Sequence, residues 1–495
     1  MPFLVWKTIG KKKRLVIRWN KRINGKARVI KEIYIGNVEN LARIIENPLT
    51  EVDAYSLNFG ITASIILIDK EIKLREIVNS VITHRDNGLS AGDYTLIFTM
   101  NRLSDPKSKR GIAEWMRGDF SSTLFHGVTS QSFWNLMDRI SEEDIKMIKD
   151  RLRESLISLG YDHSKLFVDA SNFYTFMEEN DIAKKGHNKK HRYDLNQISY
   201  YIAANYDYVP LYGDSYPGNM SDSKTFNMII ENIPENAMLI FDRGYNSGNN
   251  IDLIQNRKYI GALIQSDHKD LMSLPLEKDS FIETRKNVYG RDHRIIIYHN
   301  SKLQKKRIIA FMKRFSRVYE NVRKIVESGD SDAMEKARLY LEMENLNETI
   351  LLPSMKINGE RMRERFSMMG KNALFTNIED MKPEDIIDLY RKRNRVEHCF
   401  RIISMRDLAS PIYHWTPQKI KVHMFFSYLS YMFLALIYNK MKKINENVSL
   451  VSATDLLSQV RIQYLVSGKK VEKRLDSRNP ESLYISEKLN LISMT

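Results

Sequence analysis

Three acids, a tyrosine and two arginines are the residues whose types and spacing could do chemistry. Asp169 closes a short apolar run, residues 166–168, and Asp242 closes another, residues 237–241, at the head of Asp242-Arg243-Gly244-Tyr245. A single Asp at a strand end commonly does no more than accept hydrogen bonds from its own turn. Two such acids on neighbouring strands repel each other at close range, and a divalent cation is the natural remedy. Tyr390, Arg393, Glu397, Arg401 and Ser404 stand at offsets 0, 3, 7, 11 and 14. On a helix that spacing puts a phenol, two guanidinium groups and a carboxylate on one face. Such a face is usually only solvated, yet Ile386, Ile387, Val396, Phe400 and Ile403 give the same helix a core-facing side. At about 100° per residue, Arg391 falls about 200° from Arg393. Arg393 therefore shares the face of Glu397, where a guanidinium fork suits phosphate oxygens, and Arg391 is expected to face elsewhere.

The elements that must position these residues read as follows. Residues 163–264 give three strands (ending at Asp169, then 197–205 and 208–212), a helix over 222–233, a strand over 237–241, a helix over 247–257 and a strand over 259–264. That order suits a mixed sheet with helices on its faces. Residues 266–370 interrupt it with a strand-like piece at 294–298 and charged helical stretches at 315–328 and 332–347. A strand over 372–376 then leads into one long helix over 382–405, with Pro383 tolerated in its first turn. Before all this, residues 1–36 read as strands, with an Asn24-Gly25 hairpin signal. Residues 60–160 read as helical, with a basic loop at Lys107-Ser108-Lys109-Arg110. Residues 417–443 form a strongly apolar helix; its most apolar stretch, 424–438, falls short of the roughly 20 residues of a membrane span and reads as a core helix.

Composition narrows the partners. The chain of 495 residues carries a net charge of +16, and a protein that basic usually meets a polyanion, nucleic acid first. Cys399 is the only cysteine, which excludes an internal disulfide and a Cys-based zinc site and fits a reducing cytoplasm. No signal-peptide core is found near Met1, and no membrane partner is expected.

Tyr390, Arg393 and Glu397 resemble the last catalytic motif, Y-(2)-R-(3)-E-(6)-K, of the DDE insertion-sequence transposases. The likeness extends to residues 186–195, which include Lys189, Lys190 and Arg192, to Tyr216-Pro217-Gly218-Asn219, and to Asp242-Arg243-Gly244-Tyr245. It is clear over residues 163–440. The resemblance implies an α/β fold: a ribonuclease-H-like mixed sheet with flanking helices, interrupted by an insertion domain and preceded by a mainly helical N-terminal region. The expected division is an N-terminal DNA-binding region, 1–160; a catalytic core, 161–265 and 371–415; an insertion, 266–370; and a C-terminal helical region, 416–495. It implies Asp169, Asp242 and Glu397 as catalytic ligands of two magnesium (or manganese) ions. Tyr390, Arg393, Arg401, Lys189, Lys190, Arg192 and Arg243 are the implied DNA contacts. The implied reaction is cut-and-paste transposition: cleavage at terminal inverted repeats of double-stranded DNA and strand transfer into target DNA. The implied enzyme is a homodimer in its DNA complex, cytoplasmic and associated with the nucleoid. A nuclease that cuts without joining, or a silent transposase-derived DNA-binding protein, are the alternatives. The family's closing lysine would fall at Ser404, so Arg401 or Arg406 is expected to substitute, or activity to be reduced. Base flipping at a hairpined end would need a stacking surface. The insertion has no tryptophan, which leaves Phe281, Tyr289, Tyr298 or Phe311 as candidates, with core packing the commoner role for each.

Overall fold

The computed structural model describes residues 2–9, 12–23, 26–36, 42, 53–83, 88–186, 194–409, 412, 414–467 and 470–495. Lys189, Lys190 and Arg192, and the Asn24-Gly25 turn, lie outside the described residues.

An eight-stranded mixed sheet is the frame. Its strands are β1 (Lys165–Thr175), β2 (Asn196–Ala204), β3 (Pro210–Pro217), β4 (Met238–Phe241), β5 (Tyr259–Ala262), β6 (Phe281–Val288), β7 (Arg291–His299) and β8 (Lys371–Thr376). They lie in the order β6-β7-β8-β5-β4-β1-β2-β3. The two central pairs, β1–β4 and β4–β5, are parallel, and every other pair is antiparallel. Every residue of β2 and β4 is buried, as strands covered on both faces require. The mixed α/β class expected from the sequence is thus present, and its sheet with flanking helices is compatible with a ribonuclease-H-like domain.

The helices beside it are α1 (Asp222–Glu231), α2 (Gly248–Leu253), α4 (Pro383–Arg391), α5 (Asn394–Met405) and α6 (Pro417–Ile444), while α3 (Ser301–Glu327) packs on the helix Ala333–Met343. By length and composition α6 could cross a membrane, but 94% of its most apolar window is buried within the protein. It packs against the helix Ala91–Ser104 and against β3. One continuous core runs from Leu57 to Leu491, so the N-terminal helices share their interior with the sheet. Residues 315–350 gather a second, small core around Phe315, Val318, Val322 and Leu341. Towards the end of the chain, strands Arg461–Ser467 and Lys470–Asp476 pair with each other, and the first of them with Asp53–Asn58.

Four local expectations change. The long helix over 382–405 is two helices. Around the break Arg393, Arg395 and Val396 each donate their backbone N–H to the carbonyl three residues back, at 2.9–3.0 Å. This tighter winding abandons the 3.6-residue period. The strand expected from residue 208 starts at Pro210, because Tyr208 has φ 64°, the left-handed region of a turn. Helix α3 begins at Ser301 rather than 315, capped by Asn300, whose side chain accepts from the N–H of Leu303. Its first half is charged and hides the helix from an apolar-period reading. Finally, β6 and β7, within the stretch expected as an insertion, hydrogen-bond into the main sheet through β8.

Candidate active site

Register brings the first two acids together. Val168 of β1 is paired in parallel with Phe241 of β4, so Asp169 and Asp242 follow as neighbours. Asp242 leaves its strand at once, and its Oδ1 accepts the N–H of Arg243 at 2.8 Å, capping a short 3-10 turn, Arg243–Tyr245. Tyr245 pins that turn in the core against Phe226 and Phe241. The bland role of a strand-end Asp and the chemical one are therefore both available to this side chain. Glu397 comes from the first turn of α5, which packs on β1 through its buried face and is tied to α6 where the hydroxyl of Tyr431 donates to Cys399 Sγ at 2.8 Å.

All three carboxylates converge on one guanidinium. Arg393 Nη2 is 2.5 Å from Glu397 Oε1, and its Nη1 is 3.8 Å from Asp242 Oδ2 and 4.0 Å from Asp169 Oδ2. The side chain of Arg393 is 10% exposed, against 15% for Asp169, 35% for Asp242 and 49% for Glu397. Burial opposes its charge, but Tyr390, Asp242, Glu397 and Asp169 outweigh that and hold the guanidinium protonated even beyond its ordinary range. Among the described residues, its Nε and Nη1 are buried without a hydrogen-bond partner. Charge, more than directed hydrogen bonding, holds it in place. The Tyr390 hydroxyl donates to Asp242 Oδ1 at 3.4 Å; burial raises its pKa and keeps the phenol protonated, against the pull of Arg393.

Among the described residues, no group of three or more His, Cys, Asp or Glu side chains is arranged to hold a metal ion as it stands. The cation at the focus is Arg393. The donor set nonetheless suits a hard divalent metal: three carboxylates, oxygen only, face a single monovalent cation. Asp169, Asp242 and Glu397 are the residues that would hold it once the guanidinium moves aside.

Beside them opens a cleft of about 530 Å³, lined by Asp242, Tyr390, Arg393 and Glu397 but not by Asp169. Its cations are Arg243, Lys302, Lys306, Arg307, Arg391 and Arg393. Of the DNA contacts implied by resemblance, Tyr390, Arg393 and Arg243 are here. Arg401 is not among the lining residues; its Nη2 lies 2.8 Å from His398 Nε2. Arg406 is turned to Asp455 at 2.8 Å and also misses the cleft. The expectation that Arg391 faces elsewhere is corrected: it lines the cleft, with its guanidinium 5.1 Å above the ring of Tyr298. The tight turn between α4 and α5 invalidates the 100° count that placed it away. Sequence reasoning also missed Lys302, Lys306 and Arg307; the placing of Lys306 and Arg307 four and five residues after Lys302, about one helical turn on, was the available signal.

Two glycines of the motif segments meet at Gln197, at the start of β2. A Cβ on Gly218 would lie 2.0 Å from the Gln197 carbonyl oxygen, and one on Gly186 would lie 2.2 Å from the Gly218 oxygen. Only glycine lets these two segments close over β2. Residues 160–433, more than half of the chain, match a protein family described as the transposase DDE domain. No curated protein gives a significant match to the chain.

Proposed function

The chain belongs to the transposase DDE-domain family, and from that premise we propose that it cuts double-stranded DNA at the terminal inverted repeats of a mobile element and joins the freed ends to target DNA. One observation carries this reading: carboxylates from β1, β4 and α5 face one guanidinium at the edge of a cleft lined by six cations. A backbone phosphate is the group that such a cleft suits, because arginine forks and lysine amines match its oxygens.

In this reading Asp169, Asp242 and Glu397 are catalytic and hold two magnesium or manganese ions. When bound, such ions supply positive charge that acidifies water or a 3′-hydroxyl and stabilises the departing oxygen. The chain's own residues do the rest. Arg393 exchanges its carboxylate partners for the scissile phosphate and fixes it by a two-pronged contact. The hydroxyl of Tyr390 steadies Asp242. Arg243, Lys302, Lys306 and Arg307 hold the flanking phosphates, so the strand is positioned before the bond breaks. Arg391 with Tyr298 offers a flat cationic surface on which an unstacked base could rest. The ribonuclease-H-like identity of the sheet, the Y-R-E signature, cut-and-paste movement, a homodimer on DNA and action at the nucleoid belong to the same proposal.

A second reading has one specific observation in its favour. Ser404 stands at the position of the family lysine, and neither Arg401 nor Arg406 reaches the cleft. A protein that binds ends without cutting, or cuts without joining, would tolerate that loss. The test is cleavage of a duplex bearing the terminal repeats, with magnesium, by Asp169→Asn, Asp242→Asn and Glu397→Gln. Each keeps side-chain shape and removes one charge, so each should abolish cleavage while the thermal melt is retained. Near-normal cleavage by any of the three would show that residue to be misassigned, and a strand-transfer assay on the unaltered chain separates joining from cutting.

A further inference from the structure

The basic loop at residues 107–110 takes no part in the cleft. It borders a separate cavity of about 780 Å³, between the helix Ala91–Ser104 and the end of α5. Five cations line this cavity, Arg102, Lys107, Lys109, Arg110 and Arg406, against two carboxylates, Asp105 and Asp407. Part of this charge is already matched. Lys107 pairs with Asp105 at 3.0 Å, Arg406 pairs with Asp455 at 2.8 Å, and Arg102 Nη1 donates to the Asp407 carbonyl at 3.2 Å.

Lys109 is different. It is 9% exposed, and among the described residues no carboxylate lies within 4.0 Å of its amine. The amine instead shares a hydrogen bond with His414 Nε2 at 2.8 Å and sits 5.5 Å and 5.7 Å from the ring centres of Phe98 and Trp134. The other ring nitrogen, His414 Nδ1, is buried and has no hydrogen-bond partner among the described residues. A buried ammonium without a counter-ion is costly; it either gives up its proton or receives an anion. Burial, aided by the charge of Arg102, brings the Lys109 amine down to about 7. An arriving anion would restore its charge.

We propose that this cavity is a second phosphate-binding site, which grips a DNA backbone phosphate away from the point of cleavage. The amine of Lys109 and the guanidinium of Arg110 supply several donors at one cavity, the arrangement phosphate oxygens favour. Its size is within the range of pockets that enclose a small ligand, so a phosphate can enter with its sugar against Trp134. The cavity reaches Met405 and Arg406 at the end of α5, whose first turn carries Glu397. Eight residues of helix span about 12 Å, and at 3.4 Å of rise per nucleotide along one strand a single duplex could reach both sites. The DNA source of the phosphate rests on the transposase reading; the phosphate site itself does not, and no arm of its test uses cleavage.

The experiment compares the full chain with Lys109→Met and Arg110→Gln. Thermal melts in inorganic phosphate are set against chloride at equal ionic strength, beside duplex binding by fluorescence anisotropy across a salt series. The expected result is a phosphate-specific rise in Tm of about 1–3 °C in the unaltered chain, lost in both variants. Their duplex affinity should fall about tenfold, with a salt slope shallower by about one phosphate contact. Loss of the rise with unchanged duplex affinity would support the site and assign it to free phosphate instead of DNA. Equal melts in phosphate and chloride, with duplex affinity unchanged in both variants, would overturn the proposal and leave Lys109 a packing residue. Arg110 is exposed at the rim, so its variant carries the test if Lys109→Met fails to fold.

Discussion

Arg393→Ala removes the guanidinium on which three carboxylates converge, and its consequences can be worked from the geometry. Deleting one partner of a fully buried ion pair costs about 3–5 kcal/mol. Here the side chains of Asp242 and Glu397 are 35% and 49% exposed. Water takes up part of the stranded charge, and the expected cost is ~2 kcal/mol. At ~2.1 cal/mol/K per residue over 495 residues, the unfolding entropy is about 1 kcal/mol/K, so Tm should drop by about 2 °C. Magnesium should act in the opposite direction. In the unaltered chain a divalent ion must displace Arg393, whereas in the variant it meets the carboxylates without a competing cation. The magnesium-dependent rise in Tm should therefore be larger for Arg393→Ala, while single-turnover cleavage falls for want of a phosphate clamp. The assay is calorimetry in EDTA and in magnesium at matched ionic strength, with cleavage rates alongside. A variant that melts with the unaltered chain in EDTA, or that responds less to magnesium, refutes the reasoning: Arg393 would then not balance these acids.

Three further expectations follow from particular contacts. Lys306→Ala with Arg307→Ala should weaken duplex binding and flatten its salt dependence by about two phosphate contacts, close to 0.9 of slope for each; an unchanged slope would place the DNA outside this cleft. Burial, with Lys109, Lys419 and Arg102 nearby, lowers the pKa of His414 from 6.5 to about 3. The unfolded chain then binds a proton that the folded chain refuses, so this residue's contribution is lost as pH falls from about 6.5 towards 3; His414→Gln should reduce the acid sensitivity of Tm, and parallel Tm–pH curves would contradict this. Gly218→Ala should destabilise the chain by several kcal/mol, because its Cβ would meet the backbone oxygen of Gln197 at 2.0 Å; a variant that melts normally would mean that these segments can part.

The sequence by itself determined those features that depend on short-range pattern. Apolar runs ending in Asp169 and Asp242 identify strand ends, and the period of residues 383–405 identifies helix, because a strand alternates and a helix repeats whatever surrounds it. The spacing of Tyr390, Arg393 and Glu397 survives the break between α4 and α5, since partners three and four residues apart remain neighbours through a tightened turn. Arg391 did not survive it: one altered turn was enough to move a side chain from the far face into the cleft. Only the tertiary structure decided that Asp169 and Asp242 are adjacent, because the parallel pairing of Val168 with Phe241 joins segments that have no local means of finding each other. The same holds for Lys302, Lys306 and Arg307, which reach the cleft from α3, and for Lys109, whose place in a run of exposed-looking basic residues gives no hint that it is buried against His414. Periodicity reports which face of an element is apolar, but what that face meets is set by contacts between distant segments. The charge balance in the cleft and in the cavity around Lys109 is therefore a property of the assembled fold.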